Sequence, residues 1–230
     1  MEENIIKLLK KYGRIFIVPL DHPLGEDTKK LLEIGVSNFV KKIDSLNHDG
    51  YIFHSKYYKK AKIKTNKKFF LTVGEQPEGY KFPIEELDTL RGVKNLTLFF
   101  EVDDDKDKKA VEFYKNYVLE LKKKGYIVMG MGYPSKNYKN PDYQKIADVA
   151  LEIGCDFFKT DFFEGINKLN LHGMKLFIAG GPWMEEQEFE EFVKKVENLK
   201  SASASFGRNI FDSDNPEERI NFVLEVFHRR

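Results

Sequence analysis

The chain has 230 residues, 41% of them hydrophobic, and its 38 basic side chains nearly balance its 37 acidic ones. This length suits one domain with a sizeable core, and a net charge of +1 offers no broad basic face for nucleic acid. The one cysteine, Cys155, excludes an intramolecular disulfide, and no apolar run approaches the roughly 18 residues of a membrane helix. We therefore expect one cytoplasmic domain over residues 1–230, without nucleic-acid or membrane partners.

Short apolar runs alternate with longer amphipathic segments from one end of the chain to the other. The predicted strands are Arg14–Leu20, Gly50–His54, Phe69–Val73, Leu96–Val102, Tyr126–Met131, Asp156–Thr160, Lys175–Ala179 and Ser201–Phe206. Several of them are almost continuously apolar, which is typical of parallel strands covered on both faces. Eight such strands predict a (β/α)8 TIM barrel.

The intervening segments have the apolar spacing of helices that pack one face on a sheet. The predicted helices are Asn38–His48, Lys106–Lys124, Asp142–Ile153, Glu188–Leu199 and Pro216–Phe227. Gly154 is placed to end the third of these and Pro216 to begin the last. The first is the least regular, because Gly35 interrupts the segment before it.

Catalytic side chains of parallel barrels follow the C-terminal ends of the strands, where Lys159 stands out. It lies within the apolar run Phe157–Thr160, where an unpaired ammonium group is costly. A desolvated lysine loses proton affinity, and its neutral amine can form a Schiff base with a carbonyl compound. A lysine that reaches out to solvent, or that pairs with Asp161, would explain the pattern without catalysis.

Other polar side chains also follow strands. Tyr133 could transfer a proton or serve as an aromatic lid, and Asp21 could contact substrate or simply cap a turn. His22 directly follows Asp21 and is a further candidate for substrate binding. The histidines lack the spacing of metal ligands, so we predict neither a metal nor a cofactor.

Two glycine-containing loops follow the seventh and eighth predicted strands, where barrels commonly bind phosphate. Gly180 and Gly181 lie in the first loop, and Gly207 and Arg208 in the second. Small residues let backbone N–H groups approach an anion, and an arginine adds a charged fork. Plain turns would explain either loop alone, so the pair of loops is what favours a phosphate site.

Five segments, in this order along the chain, resemble the archaeal-type class I fructose-bisphosphate aldolases. They are Val18–His22, Gly132–Pro134, Phe158–Thr160, Ile178–Pro182 and Gly207–Phe211. The relatives of that family include the 2-amino-3,7-dideoxy-D-threo-hept-6-ulosonate synthases and the deoxyribose-phosphate and tagatose-bisphosphate aldolases. The chain differs from the aldolases at Met131, where they tend to have tryptophan, and at Trp183, where a lysine is common.

The resemblance implies a role for each matched residue. Lys159 resembles the Schiff-base lysine, Tyr133 the proton-transferring phenol and Asp21 the carboxylate that contacts substrate. The phosphate-binding residues would be Gly180, Gly181, Gly207 and Arg208. We therefore expect a homo-oligomeric aldolase that acts on a small phosphorylated ketose. The alternatives are a transaldolase-like heptulosonate synthase and an inactive barrel that binds a phosphorylated metabolite.

Overall fold

A computed structural model describes residues 5–21, 29–61, 63–76, 79–90, 92–103 and 107–228. His22 lies outside these residues. The strands are β1 Phe16–Leu20, β2 Gly50–His54, β3 Lys68–Glu75, β4 Tyr80–Lys81, β5 Asn95–Val102, β6 Ile127–Pro134, β7 Phe157–Thr160, β8 Lys175–Ala179 and β9 Ser203–Ser205. The helices are α1 Ile5–Tyr12, α2 Lys29–Ile34, α3 Val36–Ile43, α4 Ser55–Ala61, α5 Ile84–Leu87, α6 Asp107–Lys123, α7 Tyr143–Ile153, α8 Glu186–Glu197, α9 Arg208–Phe211 and α10 Pro216–His228.

The fold is a closed (β/α)8 barrel, as predicted. Eight parallel strands follow one another as β2-β1-β9-β8-β7-β6-β5-β3, and a further pairing of β2 with β3 closes the ring. The two-residue strand β4 pairs with β3 antiparallel and was not predicted. Every predicted strand is present, with ends that differ by up to three residues. None of the helices among the described residues is both long and apolar enough to cross a membrane.

The chain forms two compact units, which are residues 70–177 and residues 1–69 together with 178–230. In the first unit, two glycines occupy the middle of the helix-facing side of β6. A Cβ atom at Gly130 would lie 3.3 Å from the Cβ atom of Ala150, and one at Gly132 would lie 2.8 Å from Ile146. Both neighbours belong to α7, so this helix packs directly against the β6 backbone.

Helix α7 has clear signals at both ends. The Asp142 side chain accepts hydrogen bonds from the backbone N–H groups of Gln144 and Lys145, at 2.9 and 3.2 Å. Gly154 ends the helix in the left-handed conformation, with φ of 99°. These caps set the two ends of α7, and two residues separate Gly154 from the start of β7 at Phe157.

In the second unit, β1 lies between β2 and β9. Ile17 pairs with Gly50 on one side and with Ser205 on the other. The rings of Phe16 and Phe206 approach to 5.8 Å between centroids. Gly50 has no room for a side chain, because an added Cβ atom would lie 2.3 Å from the Lys68 carbonyl oxygen. The start of β2 therefore requires glycine for close backbone packing.

Candidate active site

Lys159 lies on the inner face of the barrel. In the register of β6 and β7, Gly130 pairs with Phe158 and Met131 with Lys159. Gly130 faces α7, and successive side chains of a strand alternate between faces, so Met131 and Lys159 point the other way. The position that the sequence analysis singled out is therefore directed away from the helix layer, as a Schiff-base lysine requires.

The Lys159 amine is enclosed. The side chain is 4% exposed, and its Nζ atom donates to the Met131 sulfur over 3.7 Å. Phe157, two residues earlier on the same face, packs against Phe70 and Phe177 with centroid distances of 6.1 and 5.7 Å. An apolar floor thus lies below the lysine on the inner face of its strand. A thioether is a weak acceptor that carries no charge, so this contact does not fix the amine as an ammonium ion.

Tyr133 lies one inner-face position beyond Met131 on β6. Its ring stacks on Phe99, with centroids 5.6 Å apart and planes inclined by 26°. Phe99 is itself paired in register with Met131, which is paired with Lys159. Tyr133 therefore lies on the same inner face as the Lys159 amine, two residues beyond the register row formed by Phe99, Met131 and Lys159. Its ring is half-buried. This is where a proton-transferring group would meet a substrate bound to Lys159.

Asp161 is a second ionisable group on this strand end. It follows Lys159 by two residues and is half-buried. Burial raises the pKa of its carboxyl, and Lys159, when protonated, opposes that rise. The rings of Tyr143 and Phe163 stack nearby, 3.8 Å between centroids. Burial and, to a smaller extent, the Asp161 carboxylate raise the pKa of the Tyr143 phenol. From the sequence, Asp161 was predicted only as a possible partner for Lys159.

Asp161→Asn is expected to stabilise the protein at neutral pH. A carboxyl with a raised pKa in the folded state favours folding when protonated, and this contribution is lost as the pH rises through the folded-state pKa. At neutral pH, folding of the wild type must bury an ionised carboxylate, which costs free energy, whereas asparagine carries no charge. The unfolding free energy of the variant should therefore exceed that of the wild type at pH 7. The difference should vanish in acid, below the ordinary aspartate pKa of 3.8. Urea unfolding at several pH values measures it, and a wild type that is the more stable at pH 7 would contradict the assignment.

In the unit formed by residues 1–69 and 178–230, Asp21 directly follows β1 and is 8% exposed. Gly180 and Gly181 directly follow β8. Gly180 donates its N–H to the Ser205 carbonyl oxygen over 3.1 Å, and an added Cβ atom would lie 3.2 Å from the Phe206 Cα atom. Gly181 has a φ of 68°, which disfavours residues with a side chain.

Gly207 precedes α9, and Arg208 is the first residue of that helix. Arg208 is half-buried, while the next residue, Asn209, is fully buried. Each predicted residue within the described ranges thus lies in the last two positions of its barrel strand or follows that strand. Among those ranges, the structure places no cluster of three His, Cys, Asp or Glu side chains that could hold a metal ion.

Asn209 and Arg219 are two buried polar residues of this unit that sequence analysis did not select. Asn209 appeared only as part of a matched segment. Arg219 is 3% exposed and lies on the apolar stripe of α10, four residues before Val223. A charged residue on the buried face of a predicted helix was the available signal, because such a charge needs partners.

Comparisons with known proteins agree with this architecture. No family model matches the sequence. An archaeal fructose 1,6-bisphosphate aldolase has a TM-score of 0.81 with 18% identity, over 97% of this chain and 98% of that one. A Schiff-base-forming fructose-1,6-bisphosphate aldolase gives 0.82 and 17%, over 96% and 98%. The fructose-bisphosphate aldolase of Slackia heliotrinireducens gives 0.71 and 16%, over 97% and 88%.

Similarity to curated proteins also extends to the sequence. The 3-hydroxy-5-phosphonooxypentane-2,4-dione thiolase of Klebsiella pneumoniae is 33% identical over 82 residues. The match covers 35% of this chain and 28% of the length of that protein. The resemblance seen in the sequence is confirmed in the fold over nearly the whole chain. The chain therefore has the (β/α)8 fold of the archaeal Schiff-base-forming fructose-1,6-bisphosphate aldolases.

Proposed function

We propose that the protein is a class I aldolase that cleaves or forms a carbon–carbon bond in a small phosphorylated ketose through a Schiff base on Lys159. The enclosed amine of Lys159, directed into the barrel below Tyr133, is the observation that carries the proposal. Taking an amine out of water disfavours its charged form, and only the neutral form attacks a carbonyl. The names of the similar proteins, three aldolases of sugar bisphosphates and a thiolase of a phosphorylated dione, support the substrate class.

The chemistry proceeds through a series of steps at the Lys159 amine. The Lys159 nitrogen adds to the substrate carbonyl carbon, and the carbinolamine loses water to give a protonated imine. The imine withdraws the electron pair of the adjacent carbon–carbon bond, while Tyr133, acting as its phenolate, takes the proton of the hydroxyl group that becomes an aldehyde and is left as the phenol. The enamine left on Lys159 then takes up a proton, and water releases the ketone product. We assign Asp21 to substrate orientation, and we propose His22, the next residue in the sequence, as a further substrate-binding residue.

Trapping with borohydride tests this proposal directly. The wild-type protein is incubated with fructose 1,6-bisphosphate, dihydroxyacetone phosphate or unphosphorylated dihydroxyacetone, and then reduced. We expect a mass increase equal to the reduced adduct, located on the peptide that contains Lys159. An adduct on a different lysine, or none with any of the three compounds, would contradict the Schiff-base assignment.

A transfer reaction is the second candidate. The thiolase relative is named for a transfer rather than an aldol cleavage, and Trp183 and Met131 replace residues common in the aldolases. In this version the enamine on Lys159 passes to a second carbonyl acceptor before hydrolysis. Product analysis with and without an added aldehyde distinguishes transfer from simple cleavage. We further propose that residues 1–230 act as one domain, in a cytoplasmic homo-oligomer.

We assign the phosphate of the substrate to Gly180, Gly181, Gly207 and Arg208. Arg208→Ala should raise KM for a phosphorylated ketose by roughly 10- to 100-fold, since a hydrogen bond to a charged group contributes about 1.5–3 kcal/mol. The KM for the unphosphorylated analogue should change little. Steady-state kinetics with both compounds measure the ratio, and Lys200→Ala, at a side chain that is 73% exposed, is the matched control for loss of a charge. Equal effects on both substrates would place the phosphate elsewhere.

A further inference from the structure

The Asn209 side chain holds three peptide groups of the loop that follows β8. Its Nδ2 atom donates to the carbonyl oxygens of Gly180 and Pro182, at 2.9 and 2.8 Å. Its Oδ1 atom accepts the N–H of Met184 at 2.8 Å. The residue is fully buried, whereas Pro182 and Trp183 are exposed. One amide side chain therefore fixes the inner side of the loop.

These hydrogen bonds also determine the direction of the N–H or C=O group at the other side of each of the three peptide planes. In a planar trans peptide, the carbonyl of one residue and the N–H of the next are directed oppositely. Because the Gly180 and Pro182 carbonyls turn toward Asn209, the N–H groups of Gly181 and Trp183 turn away from it, toward the exposed side of the loop. Neither N–H donates to another group within the described part of the chain.

Arg219 fixes this arrangement from α10. Its guanidinium donates to the carbonyl oxygens of Asn209 and Met184 and to the Glu186 carboxylate, each over 3.0 Å. It also stacks on the Trp183 ring, 4.4 Å from the centroid. The guanidinium thus bonds to Asn209, to the loop and to the first residue of α8. Its buried charge is used to hold the loop in place.

We infer that Asn209 is a positioning residue for phosphate: by holding the loop from inside, it presents the Gly181 and Trp183 amides as two donors for a phosphate ester. The inference rests on the proposed function and adds the Trp183 amide and the residues behind the loop to the phosphate site. The Trp183 carbonyl also turns outward, because the Met184 N–H points to Asn209. An acceptor beside two donors suits a phosphate that lies next to a hydroxyl group, as in a sugar phosphate.

Inorganic phosphate tests the inference without any assumption about catalysis. Adding it to the wild-type protein should shift the ¹⁵N–¹H signals of Gly181 and Trp183, because these amides would gain a charged acceptor. Asn209→Asp retains an acceptor for Met184 but sets a carboxylate oxygen against two carbonyls, so it should weaken phosphate binding about tenfold or more in a calorimetric titration. Arg219→Lys should weaken it in the same direction, and Asn198→Asp, at an exposed asparagine, should have no effect.

The readouts separate this inference from the aldolase proposal. Thermal unfolding identifies variants that are not folded, and the wild-type signals decide the question if both substitutions fail. Unshifted Gly181 and Trp183 signals, or a folded Asn209→Asp protein with unchanged phosphate affinity, would overturn the inference, even if dihydroxyacetone still forms an adduct with Lys159. Phosphate binding that depends on Asn209, without any keto adduct, would instead support the loop assignment and reject the Schiff base. In kinetics, Asn209→Asp should raise KM for the phosphorylated ketose far more than it lowers kcat.

Discussion

Lys159→Met should abolish both turnover and borohydride trapping while leaving the protein folded. Methionine keeps an unbranched side chain in a site that is 4% exposed, but it has no nitrogen to add to a carbonyl. Since the buried amine is a polar group in apolar surroundings, its removal should leave the unfolding free energy unchanged or raise it. Mass spectrometry of the reduced protein and chemical unfolding measure the two effects.

Lys175→Met is the matched control for this substitution, because Lys175 begins the neighbouring strand β8 and is exposed. It should retain turnover and trapping. If Lys159→Met still formed a reducible adduct, the nucleophile would be a different residue. If the wild type formed no adduct and Lys159→Met bound phosphorylated ligands as the wild type does, the barrel would be a binding protein.

Tyr133→Phe should separate imine formation from bond cleavage. The substitution removes only the phenolic oxygen and keeps the ring that stacks on Phe99 at 5.6 Å. The adduct with Lys159 should therefore still form and be trapped. Cleavage should slow by roughly 10²–10⁴, the usual contribution of a group that transfers a proton in the transition state.

Single-turnover kinetics with trapping at successive times measures the two steps of this variant. Tyr126→Phe is the control. Tyr126 directly precedes β6, at the strand end opposite to Tyr133, and its hydroxyl donates a hydrogen bond to Asp88 at 3.3 Å. Equal rates of cleavage in Tyr133→Phe and the wild type would assign the proton transfer to a different group. Asp161 and Glu101, which is paired in register with Tyr133, would then be the next candidates.

The barrel could be predicted because its signals are local. Apolar runs give the strands, and the cap residues Asp142 and Gly154 give the ends of α7. The antiparallel strand Tyr80–Lys81 escaped prediction because two residues carry no periodic pattern. Strand ends such as Glu75 and Pro134 were missed because pairing with a neighbouring strand, rather than apolar character, extends the ladder to them.

The candidate site divides in the same way. Lys159 could be selected because a charge inside an apolar run is visible in sequence. Its contact with Met131 could not, since that contact depends on the register between β6 and β7. The hydrogen bonds of Asn209 and Arg219 around the loop after β8 could not be predicted either, because their donors and acceptors are 10 to 35 residues apart in sequence.

The glycines of β6 have a practical consequence for changing substrate preference. Because Gly130 and Gly132 carry no side chain toward α7, the middle of β6 has side chains only on its inner face, at Met129, Met131 and Tyr133. A combinatorial library at the methionine positions would alter the walls around the lysine amine without disturbing the contact with α7. Codons 130 and 132 should be left unrandomised, since even alanine there would collide with Cys155 or Ile146.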